Sequence, residues 1–143
     1  MLADGDDLPV AVWLIALAEE ARRALNGEQR VIERFPFKVG RESRQPGQGW
    51  RGAERRSSGT VPQLNDIYIV DPGAVVNVSR EHFQIEQDGG RYVLVDRGSA
   101  CGTIVEGRTV GGDRKGGRTD LRDHDVIIVG TSHSPFVFKF RAG

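Results

Sequence analysis

Val78-Ser79-Arg80-Glu81-His82-Phe83-Gln84-Ile85 sets a hydroxyl and a basic side chain just ahead of a run that alternates apolar and polar residues. Alternation with a period of two marks a strand, and the polar residues before it mark the loop that feeds it. Ser79 and Arg80 are therefore expected at a sheet end, where loops carry binding groups. Upstream, Phe35-Pro36-Phe37-Lys38-Val39 alternates in the same way and closes on Gly40-Arg41, which puts a second cation at a strand terminus. Downstream, Gly98-Ser99-Ala100-Cys101-Gly102-Thr103 is a small-residue turn leading into another short apolar run. Two cationic side chains and a hydroxyl gathered at loop tips can hold one small anion.

The rest of the chain has the same punctuation. Its 19 glycines recur between short runs rich in Val, Ile, Phe and Tyr, which favours an all-β sandwich over a helical protein. A chain of 143 residues can bury one domain core without staples. Lysine plus arginine and aspartate plus glutamate number 20 each, which argues against a protein that coats nucleic acid or anionic lipid by bulk charge. Cys101 is the single cysteine, so no internal disulfide forms, and a reducing compartment is expected. Residues 1–7 are acidic and lack the basic start of a signal peptide. The apolar run 10–18 is about half the length of a membrane span. The expectation is a cytoplasmic, soluble chain with a tail over 1–9 and one sandwich domain over 10–141.

Strands are expected at 10–18, 29–33, 37–41, 66–70, 83–86, 92–96, 103–105, 126–129 and 136–140. Residues 10–25 are ambiguous, because alanine, leucine, glutamate and arginine there also favour a helix. The strand over 10–18 is preferred because the remaining elements need a β partner. Residues 42–65 have no periodicity and carry Arg44, Arg51, Arg55 and Arg56, so they read as a long loop, either a solvated insertion or a collector of acidic ligand. Residues 111–117 read as a second glycine-rich loop.

Taken in order, Gly40-Arg41, Asn65-Asp66-Ile67, Ser79-Arg80-Glu81-His82, Asp96-Arg97-Gly98-Ser99-Ala100-Cys101-Gly102-Thr103 and Asp123-His124-Asp125-Val126-Ile127 resemble the forkhead-associated (FHA) domain over nearly the whole chain. The family pattern is a G-R pair, an S-x-x-H block, an N-G block before a strand, and a late G-D-x-I block. That resemblance implies a two-sheet β-sandwich of about 10–11 short, mainly antiparallel strands. It also implies a non-catalytic interaction module that binds phosphothreonine peptides through loops at one end. Arg41 and Ser79 would hold the phosphate, and Arg80 would reach the peptide main chain or an acidic neighbour. Gly40, His82, Gly102 and Thr103 would support the site, His82 by bracing the loops from its ring. The expected partner is a phosphothreonine protein marked by a Ser/Thr kinase, with no cofactor, nucleic acid or membrane involved.

The physical match is sound. Phosphothreonine carries close to two negative charges and three acceptor oxygens, and a guanidinium presents its donors as a planar fork. The chain departs from the family at Ala100-Cys101, where a hydroxyl residue and asparagine usually precede Gly-Thr. In the family the hydroxyl contacts the phosphate and the asparagine the peptide main chain; alanine donates nothing and a thiol donates poorly, so weakened binding is expected. The alternative is a degenerate member that binds its partner whether or not it is phosphorylated. An enzyme using Cys101 or Ser79 with His82 lacks a nucleophile elbow or paired acids. His124 and His133 have no partners at metal-ligand spacing.

Overall fold

Each central strand turns large apolar side chains inward and shorter or polar ones outward. The strand Val137–Ala142 buries Phe138 and Phe140, Phe83–Asp88 buries Phe83 and Ile85, and Val126–Val129 buries Ile127 and Val129. Burying side chains of this size contributes roughly 1.5–3 kcal/mol each, and that drives the two layers together. The computed structural model describes residues 11–42, 64–73 and 76–143. Its strands, in chain order, are β1 (Val12–Ala16), β2 (Gln29–Val31), β3 (Phe37–Arg41), β4 (Ile67–Ile69), β5 (Phe83–Asp88), β6 (Arg91–Asp96), β7 (Thr103–Val105), β8 (Arg108–Val110), β9 (Gly117–Leu121), β10 (Val126–Val129) and β11 (Val137–Ala142). One helix, α1 (Glu19–Leu25), follows β1.

Two sheets result, ordered β2-β1-β11-β10-β7-β8 and β4-β3-β5-β6-β9. All pairings are antiparallel except β3 with β4, where Val39 faces Ile67 and Arg41 faces Ile69. The core between the layers holds Leu14, Val39, Ile69, Phe83, Ile85, Leu94, Ile127, Phe136, Phe138 and Phe140. The fold is the mainly antiparallel β-sandwich expected.

Two local readings change. The expected strand over 10–18 stops at Ala16, and its continuation forms α1. Ala21 and Leu25, one helical turn apart, are buried, while Glu19 and Glu20 open the helix and Arg22 and Arg23 close it, in the sense the helix dipole favours. Asn26 then ends it in left-handed backbone, φ 58°. The glycine-rich stretch after Arg108 is flanked by two strands, β8 and β9, that had no place in the sequence reading. The loop expected over 42–65 lies mostly outside the described residues, as do its four arginines and the tail expected at 1–9.

Candidate functional site

β3 ends at Arg41, and the loop before β5 runs beside it. The Arg41 N–H donates to Ser79 O at 2.9 Å, and its Nε donates to Val78 O at 2.8 Å. His82 N–H donates to Val39 O at 3.0 Å, so the loop is held against β3 at two levels. This approach is possible because residue 40 is glycine. A Cβ there would lie 1.9 Å from Arg80 O and 2.6 Å from Asn65 Nδ2.

A third loop, 97–102, joins at Ser79. Ala100 N–H donates to Ser79 Oγ at 3.0 Å. The structure therefore brings Arg41, Ser79 and Ala100 together, with Arg41 and Ser79 half-buried and Ala100 and Arg80 exposed. The remaining guanidinium N–H groups of Arg41 and the hydroxyl proton of Ser79 have no partner among the described residues. Arg80 contributes its carbonyl to Asn65 Nδ2 at 2.8 Å, and its side chain extends from the surface. Cys101 is half-buried, and its Sγ lies 3.7 Å from Val76 O, a weak thiol donor contact that ties its loop to the segment before Ser79.

His82 is fully buried beneath these loops. Its Nδ1 accepts the Ser79 N–H at 2.9 Å, and its Nε2 donates to Gly102 O at 2.7 Å. That pairing requires the neutral ring protonated on Nε2. The ring takes the amide of Ser79 rather than its hydroxyl, so it is not placed as a base for a serine nucleophile. Gly102 O also accepts the Gly130 N–H at 3.0 Å, which couples the loop after β10 to the same point.

Burial holds the His82 pKa below its ordinary 6.5, against the opposing pull of its bond to Gly102. The unfolded chain then binds a proton at higher pH than the folded one. Stability from this residue is fully present above pH 6.5 and declines as pH falls towards the folded value. Urea midpoints should drop progressively below about pH 6.5, and an NMR titration should find the His82 ring protonating below its ordinary range. A ring that titrates at or above 6.5 would contradict this account.

Two polar clusters make the loops rigid, the first on Asp96, which the sequence marks as a turn cap, and the second on residues that sequence reasoning missed. Asp96, 3% exposed, accepts four donors: Gly98 N–H at 3.0 Å, Ser99 N–H at 2.8 Å, Ser99 Oγ at 2.7 Å and Thr103 Oγ1 at 2.9 Å. Ser99 Oγ in turn accepts Gly102 N–H at 2.9 Å, so the 97–102 turn closes on a satisfied buried carboxylate. Thr103, expected as a supporting residue, is joined to the 97–102 turn through Asp96. In the second cluster, Arg97 donates to Asn65 Oδ1 at 2.6 Å and pairs with Glu81 at 2.8 Å, clasping the segment before β4 to the serine loop. The spacing Asp96-x-x-Ser99 is a turn signal that points to the first cluster. No comparable signal links residues 65, 81 and 97.

The end of β3, the serine loop and the 97–102 turn are thus hydrogen-bonded to one another at one end of the sandwich. A family model described as the FHA domain matches residues 51–130, and the chain belongs to that family of non-catalytic, phosphopeptide-binding interaction modules. An FHA domain-containing protein of Arabidopsis thaliana is 33% identical over 72 residues, which is 50% of this chain and 17% of that protein. This chain thus spans only a small part of that relative's length. The kinase-interacting FHA domain of the kinase associated protein phosphatase KAPP in Arabidopsis superposes with TM-score 0.61 at 23% identity, covering 95% of this chain and 97% of that one. EmbR of Mycobacterium tuberculosis, solved in complex with a low affinity phosphopeptide, gives TM-score 0.54 at 21% identity over 92% of this chain and 24% of its own.

Proposed function

We propose that this chain binds phosphothreonine-containing peptides at the Arg41–Ser79 end of the sandwich, as a signalling adaptor for a protein marked by a Ser/Thr kinase. The observation that carries the reading is the adjacency of two residues whose outer donors have no partner among the described residues. The Arg41 backbone donates to Ser79 O at 2.9 Å, so the two residues that carry these donors sit at neighbouring backbone positions. A phosphate dianion can accept from both, and charge-assisted bonds of this kind are the strong ones. Arg80, exposed next to them, takes the peptide main chain or an acidic neighbour. EmbR, the neighbour solved with a phosphopeptide, lends the reading support by analogy of fold. The working unit is taken as residues 10–141, acting in the cytoplasm.

The test is calorimetric titration of a degenerate phosphothreonine peptide library against the chain, with unphosphorylated peptides as controls. Binding that survives phosphatase treatment unchanged would instead support the phosphate-independent reading, for which Ala100-Cys101 is the motive. Those two residues yield a further prediction. Ala100→Thr with Cys101→Asn restores a hydroxyl and an amide to the face, each contributing on the order of 1 kcal/mol or more. Phosphopeptide affinity should rise by about tenfold or more. An unchanged Kd would mean that the ligand does not pass over the 100–101 turn.

A further inference from the structure

We propose that the turn between β8 and β9 is a second ligand-reading element, in which Arg114 and Lys115 engage an acidic residue flanking the phosphothreonine. This rests on the phosphothreonine reading above and adds to it a preference of ligand sequence. The turn is attached to the site by its own backbone. Asp113 N–H donates to Ala100 O and Arg114 N–H donates to Ser99 O, both at 2.9 Å. Across the Ser99–Ala100 peptide group, Ala100 N–H donates to Ser79 Oγ at 3.0 Å. One peptide group therefore separates the Arg114 main chain from the serine hydroxyl, a span of roughly 8 Å at most by standard bond lengths. An arginine side chain is long enough to cover most of that distance.

The backbone of the turn supplies a second, independent observation. Asp113 and Arg114 are both left-handed, at φ 53° and 63°, and Lys115 N–H closes the turn on Gly112 O at 3.0 Å. Two-residue turns with both central φ positive are usually filled by Asn-Gly, Asp-Gly or Gly-Gly. Glycine stands on either side of this one, at Gly112 and Gly116, yet an arginine occupies the second central position. Backbone strain of this kind collects where a side chain has to be held in place for a purpose. Arg114 and Lys115 are exposed and have no ion-pair partner among the described residues. With Asp113 beside them, the turn keeps one net positive charge, which suits a single carboxylate. It also stands next to Ala100, where the face lacks a hydroxyl donor.

The experiment titrates two phosphothreonine peptides that differ only in their flanks, one carrying aspartate and the other asparagine, against the wild type and an Arg114→Gly/Lys115→Gln variant. Glycine relieves the left-handed position, so the variant should melt a few degrees higher rather than lower. The wild type should prefer the acidic peptide by about fivefold in low salt, with the preference shrinking as salt is raised. In the variant the ratio should fall to about one. A ratio of one in the wild type, or a preference that the variant retains, overturns the proposal while leaving the phosphothreonine site standing. Wild-type binding to neither phosphopeptide overturns the underlying reading, and this one with it.

Discussion

Arg41→Ala is expected to lower phosphothreonine-peptide affinity by about thirtyfold or more while the sandwich stays folded. The asymmetry follows from what each part of the side chain does. Its Nε bond to Val78 O at 2.8 Å is half-buried and contributes about 1 kcal/mol to the fold, a modest share of the 5–15 kcal/mol typical of a domain. Its outer N–H groups have no partner among the described residues, and in the proposed complex they bond the phosphate. Losing a charge-assisted partner of a phosphate costs about 2–5 kcal/mol of binding, which is 1.5 to nearly 4 decades. Arg41→Lys separates charge from shape. Lysine retains the cation but offers no fork and cannot keep the Nε–Val78 geometry, so it should fall between wild type and alanine. Fluorescence anisotropy with a labelled peptide, alongside a thermal melt of each variant, measures both halves. An Arg41→Ala protein with a Kd within threefold of wild type would remove Arg41 from the site.

Most elements that sequence reading locates have inward-facing apolar residues, β2, exposed throughout, being an exception. β5, β6, β10 and β11 each bury two or more residues, and the pattern that buries them is visible in one dimension. β8 and β9 bury one residue apiece, Val110 and Leu121, so there is no alternation to detect, and their glycines suggest a loop. Residues 10–25 were ambiguous because strand and helix both occupy the window, meeting between Ala16 and Glu19. What arbitrates is tertiary: Leu14 pairs with Phe140 across β1 and β11, whereas Ala21 and Leu25 turn inward at helical spacing. Family resemblance supplied Arg41, Ser79 and His82, and the fold places them side by side. The Asn65–Arg97–Glu81 clasp joins positions up to 32 residues apart and leaves no trace in composition or spacing. The late block is another departure: His124 takes the position of the family's glycine, at φ 77°, a left-handed backbone costing a non-glycine residue about 1–2 kcal/mol.

Gly40→Ala should be strongly destabilising for a single added methyl. Most glycines here tolerate a Cβ or are limited by positive φ, but Gly40 is limited by space. Its Cβ would fall 1.9 Å from Arg80 O and 2.8 Å from the carbonyl carbon behind it. Both are backbone atoms in a segment that cannot rotate away, because Asn65 Nδ2 holds that same oxygen at 2.8 Å and Arg97 holds Asn65. Relief requires β3 and the serine loop to part. Parting them stretches the Arg41 N–H bond to Ser79 O and the His82 N–H bond to Val39 O, now 2.9 and 3.0 Å. Overpacking of this sort costs about 1–3 kcal/mol, and each buried hydrogen bond lost adds about 1 kcal/mol. A total near 4 kcal/mol corresponds to a fall of roughly 15 °C in Tm for a chain this size. Phosphopeptide affinity should fall with it even below the melting transition, since the guanidinium and hydroxyl would no longer be neighbours. Circular dichroism melts of Gly40→Ala against wild type decide the matter. A Tm within two or three degrees of wild type would show that the loop yields freely, and that the glycine of the Gly-Arg pair sets no geometry for the arginine beside it.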